Sequence, residues 1–223
     1  MSELSDRLDG VRAAIADAAH DAGRDPDELT TIVVTKFHPA SLIRELAELG
    51  VRDIGENRHQ EAAAKAQSLS DLPLTWHFVG QLQSKKARQV RRYARVIYSV
   101  DRPALVSALA STESTVDCFV QYNLTDDPGR GGVGSDELEP LVEQILGTAG
   151  LRLLGVMSVA GLDEPPRAAF SRLRSISERV RSLAPDAQSI SAGMSADFAA
   201  AIAEGATHLR IGTAITGKRP ISG

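Results

Sequence analysis

A regular alternation constrains this chain more than any other feature. Short runs rich in β-branched residues, "TIVVTK", "VRDIG", "LTWHFVG", "ARVIYSV", "TVDCFVQYNL", "LRLLGVMSV", "AQSISAG" and "THLRIGTA", are separated by longer amphipathic segments. Short apolar runs bounded by turn residues suit buried strands, and apolar residues three and four apart suit helices that cover them. The segment "HPASLIRELAELG" puts Leu42, Leu46 and Leu49 on one face and stops at Gly50. "SADFAAAIAEGA" repeats the device, with Ser195 predicted as N-cap and Gly205 as C-cap. Eight strands, each followed by a helix or its remnant, predict an α/β protein of the (β/α)8 TIM-barrel class. An open doubly wound sheet is the alternative, because "VRDIG" is short.

With 223 residues the chain fits one such barrel, and no linker rich in Pro, Gly or Ser divides it, so a single domain over 1–223 is expected. The loosest stretch, "TDDPGRGGVGSDE", reads as a surface loop between the fifth strand and its helix. Twenty-five basic residues against 29 acidic ones give no global attraction to nucleic acid or anionic lipid. One cysteine, Cys118, leaves no intrachain disulfide and suits a reducing interior, so a cytoplasmic location is expected. The N-terminal stretch spaces Leu4, Leu8, Val11 and Ile15 as a helical face rather than a secretion signal, and no run is long enough to span a membrane.

In a barrel of this class functional groups collect where strands end. Lys36 ends the first run, and strand alternation puts it on the same side as Ile32 and Val34. If that side faces inward, the two aliphatics form a floor that keeps the amine partly dry, and a neutral amine can form a Schiff base with an aldehyde. The simpler reading is a lysine that caps the strand and points to water. Asn57 follows the second strand, as a ligand contact or a plain N-cap. His77 ends the third and reads either as a border of the site or as ordinary packing, and His208 shares the side of Arg210 on the eighth.

The loops after the seventh and eighth strands, "SAGMSADF" and "RIGTAITG", offer Ser195, Gly212 and Thr213, the parts of a phosphate cradle. Arg210 sits in the last strand two residues before Gly212, where an ion pair at the rim is the plainer explanation. An amine nucleophile facing a phosphate cradle asks for a ligand with an aldehyde and a phosphate, and pyridoxal 5'-phosphate (PLP) has both. PLP sites place an Asp or an Arg against the pyridine nitrogen, and Arg210 could fill that place. A cation there disfavours ring protonation and makes the ring a poorer electron sink.

The motifs "VVTKFHP", "DIGENRHQEAAAK", "WHFVGQLQSKK", "GVMSVAG" and "SAGMSADFAAAIAEGATHLRIGTAITGKRP" resemble, in order and spacing, those of the pyridoxal phosphate homeostasis proteins. The resemblance covers nearly the whole chain. It implies a single barrel akin to the N-terminal domain of alanine racemase, with Lys36 as the Schiff-base lysine, Asn57 lining the site and Arg210 near the ring nitrogen. Ser195, Gly212 and Thr213 would hold the phosphate, with Met157 and Met194 packing nearby. It also implies a monomeric reservoir or carrier of PLP without established turnover, with PLP-dependent apoenzymes as recipients. Arg58, His59, Lys85, Ala160 and the Pro128–Gly129–Arg130 stretch depart from the family pattern, away from the proposed linkage and cradle.

Three rival functions are weaker. A racemase needs a base on each face of its substrate. In alanine racemases one comes from a second, β-rich domain, and this chain continues only briefly past its last strand, so negligible racemisation is expected. The segment "SKKARQVRRYAR" spaces Lys85, Arg88, Arg92 and Arg95 as one basic helical face, which suits a solvated surface better than nucleic acid in a chain of net charge -4. The five histidines form no i, i+4 pair and have no cysteine partners, so no metal site is expected, and "GRGGVG" lacks the strand and helix of a nucleotide loop.

Overall fold

The computed structural model describes residues 2–125, 127–161 and 163–218. Helix α1 (Glu3–Asp21) leads into β1 (Thr30–Val34), α2 (Ala40–Glu48), β2 (Asp53–Glu56), α3 (His59–Ser68) and β3 (Thr75–Phe78). Next come α4 (Ala87–Val90), β4 (Val96–Val100), α5 (Pro103–Leu109), β5 (Val116–Gln121) and α6 (Ser135–Leu146). The chain continues through β6 (Leu151–Met157), α7 (Pro166–Leu183), β7 (Ser189–Ser191), α8 (Phe198–Ala203), β8 (His208–Ile211) and α9 (Thr213–Thr216). The strands form a closed barrel in sequence order, all parallel, so the open-sheet alternative is excluded.

Each predicted run contains one strand, and the amphipathic segments cover them. Helix α1 buries Leu4, Leu8, Val11, Ile15 and Ala19, the expected face extended by one turn. Helix α2 buries Ile43, Leu46 and Ala47, with Leu42 and Leu49 at the margin, and ends at Gly50, whose φ of 86° needs no Cβ. One apolar layer lies between strands and helices, and the other fills the barrel. Ile32, Val96, Tyr98, Phe119 and Met157 form the inner cluster.

Strict alternation breaks on β6. Its pairing with β5 slips between Cys118 and Phe119, so Leu153 and Val156 face the helices while Leu154 and Met157 face inward. Gly155 sits at this irregularity with φ 153°, and a Cβ there would overlap the Ser189 carbonyl oxygen across the β6–β7 pairing.

The inner cluster carries a buried polar chain. The His77 ring stands between the Asp53 carboxylate and the Tyr98 hydroxyl, 2.9 Å from each. Tyr98 stacks on Phe119 at 4.7 Å, and the Phe119 ring meets His208 edge-on at 5.1 Å. Burial first, then the neighbouring His77, push the His208 pKa from 6.5 down to about 4. The fold therefore holds His208 neutral, and its contribution to stability is present above pH 6.5 and lost as pH falls through 6.5 toward 4.

Urea denaturation at pH 7 and pH 4 is expected to show wild type losing about 2 kcal/mol more than His208→Gln over that window. Gly155→Ala is expected to lower stability at pH 7 by about 1–3 kcal/mol, read as a lower urea midpoint.

Candidate functional site

The C-terminal ends of the strands form one rim, and closure of β1 on β8 brings the first and last candidates together. Ile32 pairs with Arg210 and Val33 with Ile211, so Val34 and Gly212 are neighbours at the rim. A Cβ on Gly212 would lie 3.6 Å from the Val34 carbonyl oxygen, ordinary contact that leaves a side chain little room.

Lys36 differs from the expectation of a partly dry amine. Ile32 does face the interior, but β1 ends at Val34, Thr35 is buried, and Lys36 lies in the following turn with its side chain exposed. The chain leaves the strand direction at Phe37, a non-glycine residue at φ 69°. The Lys36 amine makes no hydrogen bond or ion pair among the described residues.

Asn57 follows β2 directly. Arg58 is the N-cap of α3, so the N-cap reading of Asn57 is set aside. Its Oδ1 is buried and has no hydrogen-bond partner among the described residues. Gly80 packs so closely on the Asn57 backbone that a Cβ there would overlap it. An acceptor left unsatisfied in this way is uncommon and leaves a place for the donor of a bound group or a water.

Arg210 is buried inside the barrel rather than ion-paired at the rim. Its guanidinium donates to the Ser191 hydroxyl at 2.6 Å and to the Ser158 carbonyl at 2.9 Å, with no carboxylate pairing it among the described residues. Burial pulls its pKa down to about 10, which leaves it a cation at neutral pH. Met157 is in the inner cluster and ends β6, two strands away from β8. His77 was predicted as a border of the site, but both its ring nitrogens are engaged within the barrel, one by Asp53 at the first residue of β2. Its ring is thus tied toward the end of the barrel opposite the rim.

The cradle loops meet as neighbours. Ser195 is not the N-cap of α8; that place belongs to Asp197, whose carboxylate accepts the Met194 N–H at 2.6 Å. Ser195 instead accepts the Ala214 N–H at 3.3 Å, tying the β7–α8 loop to α9 beside Gly212 and the exposed Thr213. Met194 is exposed. Gly193 has φ 91°, and a Cβ there would press on Ala201 and Phe198.

Sequence reading missed a buried ionic group beneath Lys36. The Lys65 ammonium donates to Glu56 at 2.6 Å, Glu61 at 2.7 Å and the Thr35 carbonyl at 3.0 Å. The i, i+4 spacing of Glu61 and Lys65 on α3 was a signal for part of it. The Ser158 and Ser191 contacts to Arg210 were missed as well, because each comes from a different strand end. The basic segment is not one helical face. It divides into a tight turn at Ser84–Lys86, the short α4 and further turns. Arg95 pairs with Asp117, and Arg91 donates to the Leu109, Ser114 and Gly150 carbonyls at the far end of the barrel. Among the described residues no cluster of three or more His, Cys, Asp or Glu side chains could hold a metal ion, and no helix is long and apolar enough to cross a membrane.

The sequence pattern of the alanine racemase N-terminal domain matches residues 27–220. The pyridoxal phosphate homeostasis protein of Mycobacterium tuberculosis (strain ATCC 25618 / H37Rv) is 38% identical, over 98% of this chain and 93% of its own length. That of Pseudomonas aeruginosa is also 38% identical, over 98% of this chain and 97% of its own. The structure of PipY from Synechococcus elongatus PCC7942 with PLP bound matches with a TM-score of 0.85 at 34% identity, over 96% of this chain and 100% of that one. This chain therefore belongs to the pyridoxal phosphate homeostasis protein family, built on the barrel of the alanine racemase N-terminal domain.

Proposed function

We propose that this protein binds PLP at the barrel rim through Lys36 and acts as a reservoir or carrier of the vitamin rather than as a catalyst. The observation that carries the reading is the Lys36 amine, without a partner among the described residues, in the turn that follows the strand adjoining the Gly212–Thr213 loop. When bound, PLP supplies an aldehyde carbon to which an amine adds with loss of water, leaving a C=N linkage, and a phosphate that takes hydrogen-bond donors. The residues present fit that group. Ser195 and the backbone at Gly212 and Thr213 would take the phosphate, and the buried Asn57 Oδ1 lacks a donor among the described residues. Arg210 is fixed by two hydrogen bonds that leave it cationic beneath the mouth. A fixed cation in that place supports storage over carbanion chemistry, since it opposes protonation of a pyridine nitrogen.

The racemase alternative needs a second base. Tyr98, an inner phenol, does not supply one, because burial raises its pKa and its hydroxyl is hydrogen-bonded to His77. Recipient apoenzymes, a monomeric state, a single domain over 1–223 and a cytoplasmic location belong to the same proposal. The lone buried Cys118 fits a reducing compartment.

Borohydride reduction of the protein incubated with PLP, followed by peptide mapping, is expected to place the adduct on Lys36 and to give none in Lys36→Ala. An adduct on another lysine overturns the site. Ser195→Ala is expected to weaken PLP binding by about tenfold, near the worth of one charge-assisted hydrogen bond, and to leave the weaker binding of unphosphorylated pyridoxal unchanged. Equilibrium titration with the two ligands reads that difference.

A further inference from the structure

Lys36 is the junction of two peptide planes, and each is gripped by a charged side chain from the same helix. The Thr35 carbonyl, on the plane before Lys36, accepts from the Lys65 ammonium at 3.0 Å. The Phe37 N–H, on the plane after it, donates to Glu61 Oε1 at 2.6 Å. Glu61 and Lys65 lie one turn apart on α3 and are themselves paired at 2.7 Å. Lys65 is anchored in turn to Glu56, the last residue of β2, which also accepts the Thr35 hydroxyl at 2.7 Å.

The orientation of a Cα–Cβ bond follows from the two peptide planes that meet at its Cα, since φ and ψ are the only soft backbone angles. We infer that the Glu61–Lys65 pair is a positioning device that sets the direction of the Lys36 side chain. The strain at Phe37 supports this. A non-glycine residue at φ 69° persists only where surrounding contacts over-determine it, and the short bond from its N–H to Glu61 is such a contact.

The same arrangement explains which lysine reacts. The Lys65 nitrogen donates three hydrogen bonds, to Thr35, Glu56 and Glu61, so it presents no lone pair to an aldehyde. Its side chain is also only 7% exposed. Lys36, the residue directly before the Phe37 whose N–H that cluster holds, has no such partners among the described residues. The device therefore leaves one lysine exposed and silences the other.

This inference rests on the reading of Lys36 as the reacting amine, and the experiment separates the two. Wild type, Glu61→Ala, Glu61→Gln and Lys65→Met are mixed with PLP, and the rate of C=N formation is followed by its visible absorbance, with borohydride mapping of each product and circular dichroism to confirm folding. Glu61→Ala removes the acceptor for the Phe37 N–H, and Glu61→Gln keeps an amide oxygen there. Glu61→Ala is expected to slow adduct formation on Lys36 by about tenfold, the cost of a misdirected nucleophile, with Glu61→Gln recovering most of the rate. Lys65→Met should slow it at least as much. Because that substitution strands two carboxylates in a buried place, the partly exposed Glu61 carries the decisive comparison. Wild-type rates in folded Glu61→Ala, or equal slowing in Glu61→Ala and Glu61→Gln, overturn the positioning role while the Lys36 reading stands. A wild-type adduct away from Lys36 overturns the reading itself.

Discussion

Pairing of β1 with β8 is the constraint on which the rest of this protein depends. It joins Thr30–Val33 to His208–Ile211 in parallel register and turns an open row of strands into a ring without edges. The ring then has an inside, and the inside must be filled. Ile32, Tyr98, Phe119 and Met157 do so with apolar surface, and Asp53, His77 and His208 add a polar chain whose members are hydrogen-bonded or stacked. Closure also places the end of β1 beside the end of β8, so that the segments that follow them, carrying Lys36 and Thr213 far apart in sequence, leave the barrel side by side.

Charge is distributed unevenly across that site. Lys65 is buried with two carboxylates, a group in which loss of one partner leaves an uncompensated charge. Arg210 is buried with hydroxyl and carbonyl partners but no carboxylate among the described residues. Lys36 is exposed and has no partner among the described residues. Three cations within one end of a barrel thus have three environments: one is buried and ion-paired, one is buried on neutral partners, and one is exposed.

The family reading rests on full-length relatives, and the physical reading adds what such a likeness does not contain. Ser195 ties one cradle loop to the other through the Ala214 N–H, and Gly193 and Gly80 permit approaches that any Cβ would block. These are features of backbone proximity. They explain why small residues stand in those loops without appeal to the ligand.

The sequence by itself determined the strand count and the order of strand and helix, because β-branched runs and amphipathic spacing are local properties of a chain. It also determined the residue types that follow the strand ends, including Lys36, Asn57 and Ser195. It did not determine that Ser195 would face α9 instead of capping α8, since both are short-range choices settled by what the neighbouring loop offers. Nor did it determine that β6 slips at Gly155 and so turns Met157 inward, because a bulge depends on the partner strand. Lys36 was placed over a dry floor by continuing the strand two residues past Val34; it lies in the turn that follows, whose peptide groups bond to Glu61 and Lys65 of α3. Such contacts join residues from separate elements, and only the closed barrel brings those elements within hydrogen-bonding distance.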